Sequence, residues 1–204
     1  MTDTGQKPIR RRRGNRREVL LEAAAKRFMR NGFAAASMRE IAADAGMQAG
    51  SIYYHFPSKT ELLVAVHEEG MRRIRDAVTE ALSGTREPWQ RLEEACVAHL
   101  NVLLGGGDFF NAVMREMPSG DDPSRRQVTR LRDEYEAIFD RLLDDLGLPA
   151  GVDRHTLRLM LLGAMNWSHP WYRPGSDTPE KIARRFVGYL RLGLESPSGG
   201  GFPQ

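Results

Sequence analysis

From Gln48 to His55 the chain offers an amide, hydroxyls and an imidazole among small residues, with Ile52 as the one clear apolar anchor. Side chains of these types donate and accept hydrogen bonds and do not fill a core, so the segment suits recognition of a polar surface. Catalysis has a weaker claim. His67, His99, His155 and His169 are scattered, and none forms a zinc-binding or paired-carboxylate signature on one face. His67-Glu68-Glu69 reads as a solvated turn of a long helix. Gly105-Gly106-Gly107 lacks both a preceding strand and a following Lys-Ser/Thr, so it reads as a loop and not as a phosphate cradle.

Short helices must position the polar segment. Met38, Ile41, Ala42 and Ala45 recur at i, i+3, i+4 and i+7, one apolar stripe on about two turns. Ser37 with Glu40 forms a capping box at the start of that helix, and Gly46 supplies the left-handed residue for a sharp turn. Pro57 ends the polar helix, and Ser58 with Glu61 caps the next. Helix, tight turn, polar helix and immediate stop are the marks of a helix-turn-helix, in which the second helix enters a DNA major groove.

Charge supports a nucleic-acid partner by its position. Residues 1–17 carry seven basic side chains, Arg12 and Arg13 among them, against Asp3, so a net +6 stands at the front of a chain of net +3. The rest is mildly acidic. The arm reads either as a solvated tail or as a phosphate-binding or minor-groove arm. Cys96 is the only cysteine, which excludes an internal disulfide and a cysteine-based zinc site and suits a reducing cytoplasm. No window approaches the roughly 18 apolar residues of a membrane span.

No stretch alternates with period two, so the expected fold is all-α, with about nine helices. Residues 1–15 read as a flexible basic arm, 16–60 as the helix-turn-helix unit, 61–195 as a helical effector-binding and dimerisation domain, and 196–204 as a disordered tail. A first helix from Arg16 to Asn31 braces the pair, and a long one from Ser58 to about Leu82 leads out of it. Asp108 caps a short helix through Phe110 and Met114, and Asp122-Pro123, Asp153 and Thr178-Pro179 open the remaining ones. The last two, around Leu157–Met165 and Ile182–Leu194, are apolar on more than one face, so a second face needs a partner. A twofold dimer supplies one, and a central place in a larger monomeric core is the alternative.

The run from Ser37 to Gly46, followed by Gly50-Ser51-Ile52-Tyr53-Tyr54-His55-Phe56 and Lys59, resembles the amino-terminal domain of the TetR family of bacterial transcriptional regulators. The resemblance implies an all-helical homodimer on a palindromic double-stranded operator, released by a small-molecule effector, and the residues themselves point to no enzymatic activity and no cofactor. It places Tyr53 and His55 at phosphates or base edges, Lys59 and Arg39 at the backbone, and Gln48, Ala49 and Ser51 at the leading edge of the recognition helix. There Gln48 can pair with an adenine edge and Ala49 can touch a thymine methyl. Gly50 fits close approach to DNA or to the second helix, and Tyr54 fits either core or contact.

A second element, Asn166-Trp167 with Trp171-Tyr172-Arg173-Pro174-Gly175, resembles TetR regulators of fatty-acid and steroid breakdown, whose effectors are acyl-CoA thioesters. Trp167, Trp171 and Tyr172, with Phe110 and Met114, then wall an apolar cavity, and Arg173 meets a phosphate or carboxylate. Alternatively the aromatics plug a dimer seam and Arg173 is salt-bridged. Two other functions stay open: a non-specific architectural DNA binder, resting on the arginine arm, and a TetR-type regulator of efflux or drug response.

Overall fold

The computed structural model describes residues 9–84, 87–105, 109, 112, 118 and 123–195, with residues 9–15 described by their backbone alone. Helices are the only regular elements among the described residues: α1 (Ile9–Ala35), α2 (Met38–Asp44), α3 (Ala49–His55), α4 (Lys59–Ala81), α5 (Pro88–Leu104), α6 (Pro123–Asp144), α7 (Arg154–Asn166), α8 (Ser168–Trp171) and α9 (Pro179–Glu195). The all-α expectation holds. None of these helices is long and apolar enough to cross a membrane.

Local signals set most of the boundaries. The box at Ser37 is complete: Glu40 N donates to Ser37 Oγ at 3.2 Å, and Ser37 N donates to Glu40 Oε2 at 3.2 Å. At α4 the Glu61 amide donates to Ser58 Oγ at 3.1 Å, and at α7 the Thr156 amide donates to Asp153 Oδ2 at 2.9 Å. Gly46 and Gly147, with φ of 65° and 63°, make the left-handed exits after α2 and α6 that L side chains resist. Two bounds differ from the sequence reading. α1 runs back to Ile9, because the arginines of its first turns are good helix formers and the single Gly14 among them weakens the run without ending it. Gly32 does interrupt it (φ 78°, ψ 159°), but helical backbone resumes as far as Ala35.

The chain divides into two compact units. The first holds residues 1–70 and 108–129. Its core joins Leu20, Ala24 and Phe28 of α1, Ile41 of α2, Ile52 of α3 and Val66 of α4 to Phe109 and Ala112, so a segment distant in sequence shares the core of the helix-turn-helix. His67 is wholly buried, which corrects the solvated-turn expectation: it stands on the buried stripe of α4, four residues after Leu63. Beside it, Gln127 Nε2 donates to Glu68 Oε1 at 2.6 Å.

The second unit comprises residues 71–107 and 130–204. Here α5 packs against α9 over a core that includes Leu92, Cys96, Leu100, Phe139, Ile182 and Val187. Arg158 of α7 is buried and paired to α6, with Nη1 at 2.6 Å from Glu136 and Nε at 3.1 Å from Asp140. Removing the guanidinium leaves Glu136, only 20% exposed, without its partner, whereas water can still reach Asp140.

Candidate nucleic-acid interface and effector region

The polar face of α3 is held out by what lies behind it. Arg27 of α1 grips α2, with Nε 2.9 Å from Asp44 Oδ2 and Nη1 3.5 Å from Glu40 Oε1. The Ser37 hydrogen bonds, and then the Arg27 charge, hold the Glu40 carboxyl below its usual range, so it stays ionised for its cap. Ile52 is the only buried residue of α3. Phe56, next along, is buried beneath the Arg17 guanidinium, 5.2 Å from the ring centroid.

What remains of α3 faces outward. Gln48 occupies the N-cap position, and its exposed side chain makes no capping bond. Ala49 and Gly50 are exposed, and Ser51 and His55 are half-buried. Tyr53 and Tyr54 keep 55% and 67% of their surface, large values for aromatics beside a core, and Tyr54 meets His55 edge-on at 5.4 Å. Gly50 departs from one expectation: a Cβ there would meet nothing within 4 Å, so it does not serve close packing on α2. Arg39 is exposed on the same unit.

Lys59 is engaged inside the chain. Its ammonium donates to the carbonyls of Phe33 (2.8 Å), Ala36 (2.9 Å) and Ala34 (3.2 Å) and stands 4.5 Å from the Phe33 ring centroid. The side chains of Arg12, Arg13, Phe110 and Met114 lie outside the described residues.

The two tryptophans of the aromatic element after α7 lie open to solvent. Trp167 is 72% and Trp171 46% exposed, while Tyr172 is half-buried. Arg173 Nη1 donates to Tyr172 O (2.9 Å) and Pro170 O (3.2 Å), so it closes its own turn and, among the described residues, forms no salt bridge. The short α8, which the sequence reading did not separate from α7, is the cause. Ser168 Oγ donates to Met165 O at 2.6 Å, and the chain turns outward from that buried serine.

Two other features of the second unit stand out. A groove of about 470 Å³ between α7 and α9 is lined by apolar groups, Leu157, Met160, Leu161, Phe186, Tyr189 and Leu190 among them. Met160 and Tyr189 of its lining are at least half exposed, and so are Leu159 and Leu192 on the same two helices. The other feature is a polar chain within the core, which sequence reasoning missed. Tyr135 Oη lies 2.6 Å from His99 Nδ1, and His99 Nε2 lies 3.1 Å from Asn166 Oδ1. An amide oxygen only accepts, so Nε2 carries the proton and Nδ1 receives the tyrosine's. Burial lowers the His99 pKa to about 4 and pushes the Tyr135 hydroxyl and the Cys96 thiol well up, leaving all three neutral near pH 7. The stripe of Leu92, Cys96, His99 and Leu103 was the available signal. Among the described residues no three His, Cys, Asp or Glu side chains are placed to hold a metal ion.

Known proteins share this arrangement. Residues 20–66 match the family described as bacterial regulatory proteins, tetR family, and residues 85–194 match the tetracyclin repressor-like C-terminal domain. The HTH-type transcriptional repressor KstR2 of Mycobacterium tuberculosis is 32% identical over 188 residues, covering 88% of this chain and 93% of its own. The HTH-type transcriptional activator FasR of Mycolicibacterium smegmatis is 31% identical over 159 residues, covering 74% of this chain and 71% of its own. A crystal structure of AibR in complex with isovaleryl coenzyme A and operator DNA has the same fold, with a TM-score of 0.75 at 24% identity over 85% of this chain and 97% of that one.

Proposed function

We infer, from the premise that this chain belongs to the TetR family of bacterial regulatory proteins and is a ligand-responsive, DNA-binding transcriptional regulator without enzymatic activity, that it works in the cytoplasm as a homodimeric repressor on a palindromic operator. The observation that carries this is α3: seven residues of which only Ile52 is buried. Residues 16–60 supply the DNA-reading function and residues 61–195 the effector-binding and dimerisation functions. Gln48, Ala49, Gly50 and Ser51 meet base edges. Tyr53, Tyr54, His55 and Arg39 meet phosphates or bases, and Arg12 and Arg13 follow the backbone or minor groove. Two such heads reach successive major grooves about 34–36 Å apart.

The dimer reading is supported by the apolar groove of α7 and α9, whose exposed Met160 and Tyr189, with Leu159 and Leu192 on the same helices, an isologous partner would cover. The effector reading is an apolar metabolite of the acyl-CoA class. It is supported by the Asn166-to-Gly175 resemblance and by the isovaleryl coenzyme A bound to AibR, a protein of like fold. An effector lowers operator affinity only by its differential binding to the two states.

Salt-titrated binding to operator and random DNA tests the regulator reading. A specificity ratio of at least about 10³ is expected, and near-equal affinities would favour the architectural binder. Melting with a panel of acyl-CoAs, followed by a gel shift, tests the effector. Acyl-CoAs that neither stabilise the protein nor release DNA would remove that class, and drug-like apolar compounds that do both would favour the efflux reading.

A further inference from the structure

We propose that Lys59 is a positioning residue, an internal clamp that sets the α1–α2 junction, and that it makes no contact with DNA phosphate. The proposal rests on the DNA-binding reading above for its consequence, although the clamp itself is a property of the free protein.

The chemistry of the ammonium decides the point. It has three N–H donors and no acceptor. Three carbonyls, of Phe33, Ala34 and Ala36, converge on it within 3.2 Å. The convergence is built by α1. Gly32, at φ 78°, breaks the helix just before these carbonyls, and the Ala36 amide reaches back to Gly32 O at 3.3 Å. The last carbonyls of a helix lack intrahelical donors and carry partial negative charge, so a cation placed on them caps the end. The face of Phe33, 4.5 Å from Nζ, adds a cation–π contact, and Phe33 in turn packs on Phe28 at 5.5 Å.

A phosphate oxygen could win this ammonium only by stripping it from three carbonyls. The clamp has a direct bearing on reading DNA. Ala36 is followed at once by Ser37, the cap of α2, then by Arg39, and α2 leads through Gly46 into α3. Lys59 thereby fixes the start of α2 to the start of α4, and the recognition helix lies between them.

Full-length Lys59→Arg and Lys59→Met separate clamp from contact. Arginine keeps the charge but presents a planar fork, which three converging carbonyls do not accept. Both variants are expected to melt below wild type and to show faster amide exchange from Ala36 to Ile41 without DNA. Both should also lose roughly tenfold in operator affinity. The slope of log affinity against log salt should match wild type in both, whereas Arg39→Ala should reduce it by about 0.9 for one phosphate lost. The opposite pattern overturns the proposal: Lys59→Arg binding as wild type, or Lys59→Met lowering the slope with unchanged melting and exchange. If Lys59→Met does not fold, Lys59→Arg still decides. If the wild type binds no operator, the regulator reading fails, while melting and exchange still test the clamp.

Discussion

The Tyr135 hydroxyl lies 2.6 Å from Nδ1 of His99, inside an apolar core and with Phe139 edge-on to the imidazole at 6.2 Å. An unfolded chain protonates this imidazole near 6.5 and the folded one only at about 4. Between those values the unfolded state binds the extra proton, so stability is full above about 6.5 and declines as pH falls towards 4. At about 1.4 kcal/mol per unit the decline attributable to His99 is on the order of 3 kcal/mol. Urea unfolding at pH 7 and pH 4.5 should show wild type losing more stability than His99→Leu, and parallel losses would count against the buried neutral histidine.

Tyr135→Phe leaves Nδ1 of His99 facing a ring edge. A buried acceptor stripped of its donor costs about 1–3 kcal/mol, to be read as a lower denaturant midpoint at unchanged slope.

Gln48 and Arg39 should fail differently. Loss of a bidentate amide–adenine pair costs about 1–3 kcal/mol at one operator position and leaves the salt slope alone. Gln48→Ala is therefore expected to relax preference at a single base pair in a binding-site selection. Arg39→Ala should weaken all sequences alike and flatten the salt dependence. A uniform loss for Gln48→Ala would remove it from base readout.

Met160→Glu places a charge on the apolar face of α7, at a residue 57% exposed in the single chain. In sedimentation the wild type is expected as a dimer and the variant as a folded monomer. Operator affinity should collapse, since one head carries only half a site. A variant that remains dimeric would move the seam elsewhere.

Ser37→Ala removes the cap of a seven-residue helix and should cost about 1 kcal/mol. The Glu40 carboxyl is held below its usual range by that serine and by Arg27. Its stabilising effect is present above the ordinary carboxylate pKa and is lost as pH falls through the lowered one. The difference between wild type and Ser37→Ala should therefore narrow on acidification below about pH 4.

What was legible in the sequence was what neighbours along the chain decide. Ser37, Ser58, Asp153 and Thr178 each declare a helix start within three residues, and Gly46 and Gly147 each declare an exit, so the helices and the outward face of α3 could be read directly. His67 was legible but passed over, since it repeats from Leu63 at helical spacing and only its charged neighbours suggested solvent. Lys59 was not legible: its acceptors lie 23 to 26 residues back, brought to it by a bend at Gly32. The fate of Trp167, Trp171 and Arg173 was hidden for a related reason. Aromatic content says that a segment is sticky, whereas the turn anchored by Ser168 decides which way it points.

The place of Phe109 and Ala112 in the core of the first unit bears on how such a protein can be taken apart. A fragment ending at residue 70 keeps every helix of the helix-turn-helix but lacks Phe109 and Ala112, and so would fold on an incomplete core. The DNA-reading head is thus not a portable cassette. Grafted onto another body it would need a surrogate for that distant segment, and in natural exchange the two stretches must be inherited together.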